Sequence, residues 1–372
     1  MNRRLSIAYF AHSWVSDWNH GNAHFLRGLV RELMRMGHKV RCYEELGSWS
    51  LTNLVRQEGR RAIEAVDDFR ARFSELDIHF YNNDATLDGF LARELHGVDV
   101  VIIHEWNDPH VVNAALALKS KYNFTALFHD THHRAYSSPR DILRFHMHLF
   151  DGVLAFGEAI RKIYKDGFGI NNVWTFHEAA DTSSFKPLPL DKQQDVVWIG
   201  NWGDEERTKE LIEFLIAPAT AEPRRRTVVH GVRYPESALK LLADAGIEFR
   251  GYVPNLKSPE VYGQSMMTVH VPRRQYTNGL SGVPTIRVFE TLACGIPLLC
   301  APWTDTENLF RPNVDYLVLP DGQAMKAEIE HLIKDDAARQ QLAANGLETI
   351  QTNHTCAHRA QQLEGILAEL GR

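Results

Sequence analysis

The sequence has little of what would place it in an exported, membrane-spanning or redox class. Its four cysteines, Cys42, Cys294, Cys300 and Cys356, are scattered without the close pairing of a zinc site or a disulfide framework. Such sparse thiols suit a reducing compartment, and a cytoplasmic location is the expectation. No apolar run approaches the roughly 20 residues needed to cross a bilayer. The start, Met1-Asn2-Arg3-Arg4 and then Leu5–Ala11, has the outline of a short signal peptide. His12, Asp17 and His20 follow, and no cleavage site is convincing, so Leu5–Ala11 is read as a first buried strand. Charge of one sign is also lacking: 41 Lys and Arg against 47 Asp and Glu leave a net −6, with no global attraction for nucleic acid, and no nucleic-acid partner is expected. A G-x-G-x-x-G loop is missing too, which argues against a classical dinucleotide dehydrogenase.

What is present is rhythm. Short β-branched or aromatic runs alternate with amphipathic helical stretches, the pattern of parallel sheets covered by helices. Leu5–Ala11, Lys39–Tyr43, Val98–His104, Phe124–Phe128, Gly152–Ala155 and Val173–Phe176 form one series of strand candidates, with a helix near Asn22–Met36. The stretch 181–195, with Pro187 and Pro189, breaks the rhythm and reads as a linker. A second series follows: Asp195–Ile199, Arg226–His230, Ile247–Arg250, Met267–Val271, Pro297–Cys300 and Asp315–Val318. At 372 residues the chain is long enough for two domains. The expectation is an α/β protein of two Rossmann-like doubly wound domains, 1–180 and 196–353, with a C-terminal helix in 354–372. The stretch Arg56–Leu76 mixes acid and base on a helical pattern. It is a solvated helix face or, alternatively, a peripheral membrane contact.

Open α/β sheets bind ligands beyond the carboxyl ends of their strands. After the first strand, Gly21 and Asn22 lead into a helix whose N-terminal amides could hold a phosphate, although a plain turn explains the glycine equally well. After Phe124–Phe128 comes His129-Asp130-Thr131-His132-His133-Arg134. Its spacing matches no standard zinc motif, so no metal is expected. His129 and Asp130 are the candidate catalytic residues, with a sugar-contacting histidine set against a structural one. In the second half, Asn201, Arg207 and Lys209 follow the strand ending at Ile199. Cations near a helix start do not improve its dipole, so either an anion or simple solvent exposure accounts for them.

The densest constellation runs from Asn278 to Pro297. Asn278, Gly279, Ser281 and Gly282 form a polar turn whose amides could face phosphate or sugar hydroxyls. Arg287 and Glu290 then share one helix face, three residues apart. Glu290 could accept hydrogen bonds from the two vicinal hydroxyls of a ribose, or simply pair with Arg287.

Three segments carry a family resemblance. Ala180-Asp181-Thr182-Ser183-Ser184-Phe185-Lys186-Pro187, Ile199-Gly200-Asn201 and Glu290-Thr291-Leu292-Ala293-Cys294-Gly295-Ile296-Pro297 resemble, in this order and spacing, the two-Rossmann-domain (GT-B) retaining glycosyltransferases of family 4. The resemblance implies two domains facing a cleft and transfer of a sugar from a nucleotide-sugar donor to a glycan, lipid-linked or small-molecule acceptor, with no bound metal. It implies Glu290 on the donor ribose, Arg207 on the diphosphate, Gly21 facing the phosphates and His129 near the acceptor or the transferred sugar. The C-terminal helix would pack back toward the first domain. One departure stands out: the family carries two glutamates separated by seven residues, and here the first position is Gly282. Between Val261 and Phe289 there is no acid at all, and Thr285–Glu290 looks more like a spore-maturation-type branch. A non-catalytic nucleotide-sugar-binding protein and a nucleotide-sugar epimerase are the alternatives.

Overall fold

A computed structural model describes residues 4–203 and 205–372. Met1, Asn2, Arg3 and Asp204 lie outside them, and with them the charged start of the chain and one position of the loop after Asn201. The chain forms two compact units, Met1–Glu178 with Cys356–Arg372, and Ala179–Thr355.

The first unit is built on seven strands: β1 (Ser6–Phe10), β2 (Lys39–Glu45), β3 (Asp77–Tyr81), β4 (Val100–His104), β5 (Thr125–Asp130), β6 (Gly152–Ala155) and β7 (Val173–Thr175). They lie in the order β3-β2-β1-β4-β5-β6-β7, every neighbouring pair parallel. Every residue of β4 and β5 is buried, as strands covered on both faces must be. The edge strand β3 escaped the sequence reading. Its Asp77-Ile78-His79-Phe80-Tyr81 is half polar because only one neighbour and one face shelter it.

Helix α1 (Ala23–Arg35) buries Phe25, Leu26, Leu29, Val30 and Leu33, a repeat that matches the helical period. Burying each such side chain contributes roughly 1.5–3 kcal/mol relative to exposure. The stretch Arg56–Leu76 contains parts of two helices, Trp49–Glu58 and Arg61–Arg72, divided at Gly59.

The second unit repeats the plan with β8 (Gln194–Ile199), β9 (Thr227–His230), β10 (Glu248–Phe249), β11 (Ser265–His270), β12 (Leu298–Cys300) and β13 (Leu317–Val318). Their order is β10-β9-β8-β11-β12-β13, again all parallel. Val196, Trp198, Phe214, Val229, Met267, Val269 and Leu299 centre its core. Helix α2 (Ile286–Ala293) buries all but Arg287 and ends before Gly295, whose φ of +62° is the left-handed conformation that stops a helix. Residues 181–195, expected as a linker, fall within this unit rather than between two.

The last helix, α3 (Cys356–Glu369), is an integral part of the first unit. It packs on α1, and Arg359 Nε donates to the His177 carbonyl at 3.0 Å while Gln362 Nε2 donates to that of Thr175 at 2.8 Å. Both sheets share one consequence of strand order. Between β1 and β4, and between β8 and β11, the chain leaves in opposite directions, opening a crevice at the carboxyl ends.

Candidate functional site

In the second unit, that crevice is lined by guanidinium groups. Arg207 follows the β8 loop and is 8% exposed. Its Nη1 donates to the Val271 carbonyl at 3.0 Å, just past β11, so the side chain spans the switch point. Its Nη2 donates to the Asn201 carbonyl at 2.7 Å and to Asn201 Oδ1 at 2.8 Å, and the guanidinium lies 4.9 Å from the centre of the Trp198 ring. Asn201 Oδ1 also accepts from Arg273 Nη2 at 3.2 Å. One neutral amide oxygen therefore holds two cations side by side.

Glu206 pairs with the far side of Arg273 and accepts from Gln275 Nε2. The electrostatic outcome is a cation deficient in counter-charge. Burial, then repulsion by Arg273 and Arg287, pulls Arg207 down to about 9, against opposition from Tyr234 and Glu206. His270, at the end of β11, is pulled down to about 3 by burial and by Arg207 and Arg287. Such a place is electrostatically prepared for an anion.

Arg287 and Glu290 form an ion pair on α2, with the carboxylate fully buried and the guanidinium about one-fifth exposed. Burial works against the Arg287 charge, but Glu290 and Tyr262 more than offset it and raise its pKa. The other residues named from sequence are placed differently. Lys209 is exposed on the helical turn Thr208–Leu211, and among the described residues no ion pair of the arginine group includes it. Asn278, Gly279 and Ser281 are exposed at and after a short helix, Arg274–Asn278.

Gly282 is buried with φ +89°, and its amide donates to the Thr304 carbonyl at 2.9 Å. A Cβ there would stand 2.2 Å from Thr306 Oγ1 and 3.1 Å from Glu307 Cγ. The acid missing at this position thus has a structural reason: both its backbone angle and its space are closed to a side chain.

In the first unit, Gly21 and Asn22 sit in the turn that opens α1. Asn22 does not cap the helix. Its Nδ2 donates to Thr131 Oγ1 at 2.6 Å, tying the β1 loop to the end of β5. His129 and Asp130 are the last residues of β5 rather than members of the following loop, and both are fully buried. His129 Nδ1 meets the Tyr9 hydroxyl, and burial lowers its pKa to about 3.

Asp130 accepts from Tyr164 Oη at 2.6 Å and from the His132 amide at 2.9 Å. Burial raises its pKa; burial and the Asp130 charge also raise Glu105 well above the carboxylate range, and Arg134 pulls Glu105 back. Sequence reasoning pointed to the loops that hold Arg273, Glu206, Glu105, His20 and His104 without singling these residues out, and it did not reach His270 or Tyr164. Their signal was position alone, within or just beyond the end of a strand or in the turn before a helix, except for Tyr164, which lies inside the helical segment Ile163–Gly167 with nothing in the sequence to mark it.

Two sequence-family matches together cover most of the chain. Residues 21–184 match the family described as Glycosyltransferase Family 4, and residues 207–365 match that described as Glycosyl transferase-like. The chain is a GT-B glycosyltransferase. Among solved structures it is similar to HepE from Anabaena, determined with UDP and glucose, at 13% identity, covering 98% of this chain and all of that one with a TM-score of 0.68. Sucrose-phosphate synthase from Thermosynechococcus elongatus aligns over 99% of each chain with 13% identity and a TM-score of 0.64. A glycosyltransferase from Rickettsia africae aligns over the whole of both chains with 12% identity and a TM-score of 0.67. These likenesses carry the fold. A search of curated protein sequences finds no match. No helix among the described residues of this glycosyltransferase is long and apolar enough to cross a membrane.

Proposed function

We propose that this glycosyltransferase uses a nucleotide-sugar donor, binding its diphosphate at Arg207 and Arg273 and its ribose at Glu290. The observation that carries the proposal is Asn201 Oδ1 holding two guanidiniums together while Arg207 is left short of counter-charge. A diphosphate supplies that charge, and its oxygens take charge-assisted hydrogen bonds. HepE, which shares the fold, was determined with UDP-glucose.

In the reaction, the bond from the sugar's anomeric carbon to the diphosphate breaks and a bond to the acceptor oxygen forms. The hydroxyl proton passes to the departing phosphate oxygen on the same face, so configuration is retained. The guanidinium pair stabilises charge as it grows on the leaving group, the role that makes a metal unnecessary. His129 contacts the sugar or the acceptor through Nε2. Asp130 positions the end of β5 through Tyr164 and the His132 amide.

The test is a thermal-shift screen with UDP, GDP, ADP and their sugar conjugates. A ligand at 100 times its Kd adds about 2.7 kcal/mol, which raises Tm by several degrees. If no nucleotide stabilises the protein, the donor assignment fails. Interconversion of the free donor sugar without acceptor would point instead to an epimerase.

A further inference from the structure

Gly200 follows β8 and begins the loop that carries Asn201 and Arg207, and its carbonyl is held from a second loop. Tyr234, in the loop after β9, places its hydroxyl 2.9 Å from the Gly200 oxygen and 3.0 Å from Trp198 Nε1. An indole nitrogen can only donate, so Trp198 gives its proton to Tyr234 Oη and the phenol gives its own to the Gly200 carbonyl. Burial raises the pKa of the phenol, and Arg207 and the Trp198 bond offset that only in part, so the proton stays on Oη near pH 7. The two loops come this close because Gly231 has no side chain: a Cβ there would stand 1.9 Å from the Gly200 oxygen.

The same indole carries Arg207. Its ring centre lies 4.9 Å from the Arg207 guanidinium, whose Nη2 donates to both the carbonyl and the side chain of Asn201. Trp198 and Arg207 are both buried, so protein groups rather than water set their orientation. One hydroxyl therefore fixes two things at once. It fixes the platform under Arg207, and it fixes the backbone just before Asn201, whose amide oxygen holds Arg207 beside Arg273. The Tyr234 ring packs against Phe249, with centroids 4.7 Å apart, and it also borders an open cleft of about 400 Å³ shared with Trp202, Thr208, Arg233 and Leu241. Removing the hydroxyl while keeping the ring leaves that packing in place.

We propose that Tyr234 is a positioning residue for the donor diphosphate: by tying the Gly200 carbonyl to the Trp198 indole, it sets the Asn201–Arg207 clamp before nucleotide arrives. This rests on the donor reading above. A guanidinium on a loose loop would have to be ordered as the ligand binds, which lowers affinity. Here the ordering is already made, and cations fixed in advance stabilise a departing diphosphate without moving. The consequence is selective. Tyr234 acts on the part of the site that faces phosphate, whereas Glu290 belongs to α2 and is held by Arg287. Loss of the hydroxyl weakens what binds through phosphate and spares what binds through the nucleoside.

The experiment is calorimetry on the full chain and on Tyr234→Phe with UDP, GDP and ADP, together with competition by the matching nucleosides at millimolar concentration. The diphosphate that binds wild type is expected to lose about three- to tenfold in affinity in Tyr234→Phe, while its nucleoside stays within about twofold. In an Arg207→Ala background the same substitution should have almost no further effect, because a residue that acts through Arg207 then has nothing left to position. In the ligand-free protein the Arg207 Nε–H and Trp198 Nε1–H resonances should both move, a readout that needs no nucleotide. Equal diphosphate affinity in Tyr234→Phe and wild type overturns the proposal. So does an equal loss for nucleoside and diphosphate, the mark of a general packing defect, and so does full additivity with Arg207→Ala. If wild type binds none of the three nucleotides, the donor reading fails and this role falls with it. Diphosphate binding to wild type that Tyr234→Phe leaves untouched sinks the positioning role alone.

Discussion

Restoring a side chain at position 282 should damage the protein rather than improve it. Gly282 has φ +89°, and a Cβ would meet Thr306 Oγ1 at 2.2 Å and Glu307 Cγ at 3.1 Å. Left-handed backbone costs a non-glycine residue roughly 1–2 kcal/mol. Forcing a methyl group into filled space typically adds about 1–3 kcal/mol, so Gly282→Ala should lose roughly 2–5 kcal/mol. In a domain of this size that lowers Tm by on the order of 10 °C.

The two contributions are separable. Thr306 is exposed, and Thr306→Ala alone should change stability by no more than about 0.5 kcal/mol. In the Gly282→Ala/Thr306→Ala double variant, the steric share should return and the backbone share should persist, a coupling that urea denaturation reads as a double-mutant cycle. Gly282→Glu should be worse than Gly282→Ala, since the longer chain must pass the same loop and brings a second carboxylate beside Glu307. A wild-type urea midpoint for Gly282→Ala, or tighter nucleotide-sugar binding by Gly282→Glu, would refute the structural account of the missing acid.

Three other perturbations test the sites. Arg207→Ala removes charge-assisted hydrogen bonds worth about 1.5–3 kcal/mol each, so nucleoside diphosphate affinity should fall at least tenfold by calorimetry; unchanged affinity means the phosphate is bound elsewhere. Glu290→Gln leaves the Arg287 guanidinium without its buried carboxylate, a break that costs about 3–5 kcal/mol in well-buried pairs and somewhat less here because Arg287 is part-exposed; a melting point equal to wild type would show that the pair contributes nothing.

Stability should also fall with acid, because His129 and His270 are held neutral down to about 3. The unfolded chain takes up those protons near its ordinary value of about 6.5, so the unfolded state binds more protons in between and stability rises with pH. It is fully present above about pH 6.5 and declines as pH falls toward 3, by about 2 kcal/mol per histidine at about pH 5. His129→Asn should flatten that slope in urea titrations; an unchanged slope would count against a buried neutral imidazole.

Local chemistry in the sequence determined the elements. The Val-Val-Ile-Ile run before His104 could only be a strand buried on both faces, and the Phe25–Leu33 repeat could only cover one. Alternation of such segments dictated two parallel sheets, and strand ends pointed to Asn201, Arg207 and His129. Position along the chain does not say what meets across it. Tyr9 reaches His129 over 120 residues, and Asn201 joins Arg207 to an arginine 72 residues away. Those contacts arise from parallel register and from the order in which strands enter each sheet, both settled by packing as a whole.

The same holds for the C-terminal helix. Its sequence predicts a helix, while only its fit against α1 and the β7 end makes it part of the first unit. Gly282 shows the division most clearly. In the sequence it is a missing acid, whereas in the structure it is the one residue type that the backbone angle and the neighbouring loop accept, because a constraint of that kind is written in φ and in three-dimensional space and not in the order of letters.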